Sequence, residues 1–276
     1  MQGDLHTHTI HSDGGCTPRM VFARAKAEGL DTLAITDHDY LPDKTRDLAV
    51  AEEFGICSIW GTEISAYDYE RRRRVHILCF EPRDPKPIRA LCEETTRLRQ
   101  EAGLQMAELI AERYPISVAD VQRMAGVSGS IFKQHIMMAL MQAGYSTEMY
   151  GSLWKELFDV NTGSCVRTCV QPDVRKTIDL VHEAGGLAVM AHPYTYRSLD
   201  LLSELLEEKR LDGIEVWQSK TTPEQERTLA SLAEEAGIMK TGGSDFHGQY
   251  GAKVSPVGKG RTPHESIALI LAHRSR

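Results

Sequence analysis

Short apolar runs that end in histidine or carboxylate recur along this 276-residue chain, and helical patterns alternate with them. "GDLHTH" is followed by "TPRMVFARAKAEGL", with Thr17 as N-cap, Pro18 in the first turn and Gly29 as the stop. "DTLAITDHD" is followed by "PDKTRDLAVAEEFG", then come "ICSIWGTEIS" and "RVHILCF". The last third resumes the rhythm, with helical segments before and between "LAVMAHP", "DGIEVWQ" and "IMKTGGSDFHG". Repeated β-α units imply parallel strands with helices outside. Chemistry at the ends of such strands is where α/β barrels build active sites.

The pattern breaks between about residues 85 and 166, where only helical signals occur. The longest is amphipathic, with Leu98, Met106, Leu109 and Ile110 on its apolar side. "SVADVQRMAG" and "FKQHIMMALMQAG" are shorter helices. The simplest division is a barrel from residues 1–84 and 167–276, interrupted by a helical insertion at 85–166.

Residues i and i+2 of a strand share a face, so Asp4, His6 and His8 are expected on one side and Leu5 and Thr7 on the other. "SDFH" repeats the device with Asp245 and His247. Asp13 lies in "SDGG", whose glycines let the carboxylate turn back to the strand ends. His38 ends the second run, Glu63 the third, and His192 a later one, whereas His76 lies inside its run and points to a strand that runs differently. Any one of these alone is better read as a packed or surface side chain. Nine together, most of them at strand ends, argue for a shared site, and more than one ion. A mixed imidazole and carboxylate set suits Zn²⁺, Mn²⁺ or Fe²⁺ better than Ca²⁺ or Mg²⁺.

A net charge of −7 gives no basis for broad nucleic-acid or membrane affinity, and no stable nucleic-acid complex is expected. An anionic substrate then needs local cations. The chain shows no signal-peptide pattern and no run long enough to span a membrane, and its six cysteines are scattered. Reduced thiols in the cytoplasm are the expectation. "RRRR" (71–74) reads as a solvated hairpin turn, Asp4 as an acceptor behind a ligand histidine, and His11 as binding nothing.

"DLHTHTIHSDG", "ITDHD", "GTEIS", "AHP" and "GGSDFHG" occur in the order and spacing of the PHP (polymerase and histidinol phosphatase) family, and the chain resembles it over nearly its whole length. The resemblance implies an α/β fold, a distorted TIM-like barrel of seven β/α units, with a trinuclear metal centre that hydrolyses phosphoesters. It implies that metal-bound hydroxide attacks phosphorus. It assigns His6, His8 and Asp245 to one ion, and Glu63 as a bridge to a second completed by His76 and His192. Asp13, His38 and His247 are assigned to a third. Glu63, Asp245 and His247 are then the residues nearest the chemistry.

The insertion resembles that of a branch which includes nucleoside 3′,5′-bisphosphate phosphatase, a 5′→3′ oligoribonuclease and a cyclic sugar-phosphate hydrolase. That branch has Gly-Arg-x-His where this chain reads "FKQH" (132–135). His135 is implied as a phosphate contact, Lys133 replaces the arginine, and Arg167 is a further candidate. The implied partner is a small nucleotide or sugar phosphate, or short RNA, with histidinol phosphate as another alternative. Two rival classes are a non-catalytic PHP domain and an amidohydrolase-like enzyme that cleaves C–N bonds. The complete ligand set argues against the first, and the "SDG" and "SDFH" partners against the second.

Overall fold

Strand β1 (Gly3–Thr7) leads into helix α1 (Pro18–Ala27), where the Thr17 hydroxyl accepts the Met20 N–H at 3.3 Å. The computed structural model describes residues 1–251 and 255–275. Strand β2 (Thr32–Ile35), helix α2 (Lys44–Phe54), and strands β3 (Cys57–Asp68) and β4 (Arg73–Phe80) complete the first part. Four helices follow: α3 (Lys86–Ala111), α4 (Val118–Ala125), α5 (Lys133–Gln142) and α6 (Ser152–Phe158). The chain then runs through α7 (Val174–Glu183), β5 (Leu187–Met190), α8 (Leu199–Glu207), β6 (Gly213–Gln218), α9 (Pro223–Ala236), β7 (Met239–Gly243) and α10 (His264–Arg274).

The seven strands lie side by side in chain order. The seam between first and last is joined where the His8 N–H donates to the Phe246 carbonyl (2.8 Å) and the Asp245 N–H to the His6 carbonyl (2.9 Å). Gly243 permits this approach, because a Cβ there would sit 2.2 Å from the His6 Cβ. The result is a nearly closed α/β barrel.

Three expectations change. First, the general β-α rhythm implies parallel strands, but β4, the strand that His76 marks as running differently, is antiparallel to both β3 and β5. Second, β3 does not end at Glu63 but continues to Asp68 as half of a hairpin, which leaves Glu63 in mid-strand. Third, the pairing of β1 with β2 shifts register between Asp4 and Thr7. An extra residue in one strand flips the side to which later side chains point. Leu5 therefore joins the interior cluster with Ala34, Ile59, Leu78, Phe80 and Val189, while Asp4 is directed elsewhere. Its carboxylate accepts backbone N–H groups from Ser244 (2.9 Å) and Gly258 (2.7 Å) and bonds no imidazole ring.

Ile267 and Ile270 of α10 pack into the interior cluster. Outside the barrel, α3 belongs to two cores. Ile88 and Cys92 pack with Ile77, Cys79 and Val181, whereas Met106, Ala107 and Ile110 pack with α4, α5 and α6.

Candidate metal centre

The nine residues singled out in the sequence come together in one cluster. Glu63, fully buried, stands at its middle. Its Oε1 lies 2.8 Å from His76 Nδ1 and 2.8 Å from His192 Nε2. Its Oε2 lies 3.1 Å from His6 Nε2, 3.2 Å from His8 Nε2 and 3.1 Å from His38 Nδ1. Asp245 Oδ1 sits 3.4 Å from His8 Nε2 and 3.7 Å from His6 Nε2. Asp13 Oδ1 sits 3.2 Å from His247 Nε2 and 3.9 Å from His38 Nε2. Two neighbouring ligands of an ion bound at about 2.1 Å are themselves about 3.0–3.4 Å apart. The spacing here falls around that range.

Four overlapping groups have one donor atom per residue within 4.8 Å of one another: His6, His8 and Asp245; His6, Glu63 and His192; His38, Glu63 and His76; and His8, Asp13, His38 and His247. Buried polar atoms without a hydrogen-bond partner concentrate here. Among the described residues they include His6 Nε2, both ring nitrogens of His8, Asp13 Oδ1, His38 Nδ1 and Glu63 Oε2. Unpaired buried donors and acceptors are costly, so their gathering at one point needs a ligand to satisfy them. The donor set fits divalent metal ions.

Local backbone explains how the side chains arrive. His192 and Asp245 follow their strands with positive φ of 30° and 51°, a conformation non-glycine residues adopt at a cost. Asp13 turns back as expected, since a Cβ on Gly14 would lie 2.6 Å from the His8 carbonyl carbon. Asp37 is not free for an ion. It accepts the Thr9 N–H and hydroxyl (2.6 Å each) and the Ser12 hydroxyl (2.7 Å), fixing the loop that carries Asp13. Burial alone would raise the carboxyls of Glu63, Asp13 and Asp245. The facing imidazoles, His6 foremost for Glu63 and His247 for the two aspartates, hold all three well below the usual carboxylate range.

Several groups around the cluster were not recognised in the sequence. Glu215 accepts from His6 Nδ1 at 2.8 Å, the role expected of Asp4. Its signal was available: an acid between Ile214 and Val216 in an apolar strand. Gln134 donates to Asp13 Oδ2 at 3.1 Å. Lys220 Nζ (2.9 Å) and Gln218 Nε2 (3.1 Å) donate to Asp245 Oδ2. No sequence pattern marked those three.

Two adjoining cavities of about 570 and 420 Å³ open on the cluster, and Asp13, His38, His76, Gln134 and Tyr196 border both. The larger is also lined by Arg74, Arg99, Lys133 and Arg167 and by Tyr67, Tyr69, Phe132 and Trp154. Burial, helped by the nearby Arg74, pushes the Lys133 ammonium down to about 8. Arg167 lies at the exposed edge, its guanidinium bonded to the Val166 carbonyl at 2.9 Å. His135 borders neither cavity. It is 2% exposed, its Nδ1 accepts the Phe132 N–H at 3.2 Å, and burial pushes it down to about 4. A polar residue on an apolar helix here caps that helix, and Gln134 and Lys133 line the open space, the Lys133 ammonium donating to the Phe158 carbonyl at 3.2 Å. The "RRRR" turn also divides. Arg71 and Arg73 pair with Asp68 and with Asp200 of α8, while Arg74 faces the cavity.

The PHP domain profile matches residues 4–160. A phosphoribosyl 1,2-cyclic phosphate 1,2-diphosphodiesterase of Eggerthella lenta is 37% identical over 92% of this chain and 97% of its own length. The 5′-3′ exoribonuclease Rnm of Escherichia coli is 32% identical over 88% and 84%. A crystal structure described as a metal-dependent phosphoesterase of Bifidobacterium adolescentis superposes with a TM-score of 0.86 at 30% identity, covering 98% of this chain and 96% of that one. Fold and site together define a metal-dependent phosphoesterase, a hydrolase of phosphoric esters. The chain belongs to the PHP domain family. Among the described residues, no helix is long and apolar enough to cross a membrane.

Proposed function

We propose that the centre holds three divalent ions, Mn²⁺, Fe²⁺ or Zn²⁺, and cleaves a phosphate ester of a small ribose compound that carries a second anionic group. His6, His8 and Asp245 form one ligand set. Glu63 bridges it to His76 and His192, and Asp13, His38 and His247 form the third. Bound ions would draw the nucleophile from water and offset charge on the phosphoryl oxygens. Asp245 and His247 stand on the side open to the smaller cavity, within reach of a leaving group there. In this reading residues 1–84 and 167–276 supply the metal centre, and residues 85–166 supply a cavity wall.

The observation that carries the substrate reading is the lining of the larger cavity. Arg74, Arg99, Lys133 and Arg167 border it in a chain whose net charge is −7. Lys133 and Arg167 meet the second anionic group, and His135 serves by capping α5. The aromatic lining favours a base that stacks, hence a nucleoside 3′,5′-bisphosphate or the 5′ end of a short oligoribonucleotide. A second reading, a cyclic ribose phosphate opened and then hydrolysed, is favoured by Lys133 in place of a bidentate arginine and by the relative at 37% identity. Six free cysteines and no membrane-crossing helix among the described residues fit a reducing, cytoplasmic setting.

The test is hydrolysis by the Mn²⁺-loaded protein of nucleoside 3′,5′-bisphosphates, short RNA, phosphoribosyl 1,2-cyclic phosphate and histidinol phosphate, side by side, read as released mononucleotide for RNA and as released phosphate for the others. Preference for the first two supports the nucleotide reading, and preference for the third supports the second. No release from any ester with any of the three metals refutes the function. Glu63→Gln should lower the rate about a thousandfold, since several kcal/mol of charge stabilisation depend on its two oxygens.

A further inference from the structure

The third ligand group differs from the others in what holds it. His6, His8, Glu63 and His192 are at most 4% exposed and lie on or directly beside barrel strands, and the side chains of His76 and Asp245 are 8% and 9% exposed. The side chains of His38 and His247 are 12% and 14% exposed, and Asp13 and His247 sit on loops. The two loops are tied to each other, for the Gly15 N–H donates to the His247 carbonyl at 3.0 Å. Both are also gripped from the helices inserted between β4 and β5. Gln134, in the first turn of α5, donates to Asp13 Oδ2 at 3.1 Å. Tyr150, just before α6, donates its hydroxyl to the Tyr250 carbonyl at 2.6 Å, three residues past His247. Tyr250 belongs to the hydrophobic core of those same helices, with its ring 6.0 Å from that of His135 in α5.

The grip has a direction. With Oδ2 engaged by the amide, Asp13 keeps Oδ1 toward His247 and His38. A ligand carboxylate held by an outer hydrogen bond loses less freedom on binding an ion, and removing such a partner typically weakens metal affinity ten- to a hundredfold. Among the described residues, none of the other eight ligand side chains bonds a side chain of α3–α6.

We propose that the helical insertion, through Gln134 and Tyr150, sets the affinity of the outermost metal position, while the other two positions are independent of it. The inference rests on the metal reading above. It makes Gln134 a positioning residue that acts through Asp13, and it makes ion occupancy at that position dependent on how the insertion is docked.

The experiment is equilibrium dialysis of the full chain against stepped free Mn²⁺, with metal per chain read by mass spectrometry. The wild type should take up three ions, one more weakly than the others. Gln134→Met, of similar shape but without the donor, should weaken the weakest step about ten- to a hundredfold and leave the other two unchanged. Tyr150→Phe should weaken the same step alone. Gln100→Met removes a different link of the insertion, the acceptor of the Ile131 N–H at 2.8 Å, and should change none of the steps. Binding by Gln134→Met equal to wild type at every step overturns the inference, as does a loss shared by all steps or by Gln100→Met. A wild type that takes up no metal overturns the metal reading itself.

Discussion

Glu215 holds His6 in place from behind: its Oε1 accepts from His6 Nδ1 at 2.8 Å, which directs Nε2 of the ring at Glu63. The other oxygen accepts the His192 N–H at 2.8 Å, so one buried carboxylate sets two ligands from two strands. In Glu215→Gln the amide oxygen can satisfy only one of these donors, and its NH₂ must face the other. Metal affinity should fall about ten- to a hundredfold. Metal content after dialysis, with far-UV circular dichroism as the fold control, checks this; unchanged affinity would count against the role.

Chelation should destabilise the protein measurably. Each ion at a hundred times its dissociation constant stabilises the folded chain by about 2.7 kcal/mol. For a domain of this size 1 kcal/mol moves Tm by about 2–4 °C. Calorimetry with EDTA, then with Mn²⁺ restored, should show a reversible shift of at least several degrees. A Tm indifferent to metal would remove the stabilising role.

Lys133 gives a pH dependence with a definite sign. Its ammonium is pushed down to about 8 by burial and by Arg74, so it is charged below that pH and neutral above it. If it holds the second anionic group, KM should rise about tenfold between pH 7 and pH 9, far below the ordinary lysine range near 10.4. Lys133→Arg, charged throughout, should keep KM level. The check is KM against pH for both proteins, and a wild-type KM flat to pH 9.5 would exclude the role.

Gly243 should tolerate no side chain. An added Cβ meets the His6 Cβ at 2.2 Å and the His6 backbone nitrogen at 2.7 Å, both of which are part of the barrel seam. Gly243→Ala should cost about 3 kcal/mol or more. Gly29→Ala, at φ +70° with nothing within 4 Å, should cost about 1–2 kcal/mol from backbone strain alone. Denaturant titration of both variants compares the two.

The sequence disclosed those features whose causes are local. Thr17 caps α1 and Gly55 closes α2 because capping chemistry involves only near neighbours. The histidines and carboxylates could be gathered because the β-α rhythm places strand ends together. Strand direction leaves one trace, His76 lying inside its run rather than at its end. "RVHILCF" is apolar whichever way it runs, and the turn before it lacks the usual glycine, with Arg72 itself at φ +54°. The register shift in β1 was hidden, because it depends on pairing with β2 rather than on Leu5 or His6 themselves. The motif at 132–135 does not disclose the orientation of His135, which burial and the Phe132 N–H decide.

The reversal of β4 has a consequence for the length of α3. A strand that runs downward delivers the chain, at Phe80, opposite the start of β5 and so to the end of the barrel away from the metal ligands. The chain must climb back before the insertion can border the cavity. Helix α3 does so in one piece, and its 26 residues span about 39 Å. Its early residues Ile88 and Cys92 lean on the barrel wall, Arg99 reaches Asp39 beside His38, and only then do Met106 and Ile110 enter the upper core. The helix is a mast stepped at the keel. Cut two turns from its middle, and the insertion would hang about 10 Å below the rim it now overlooks.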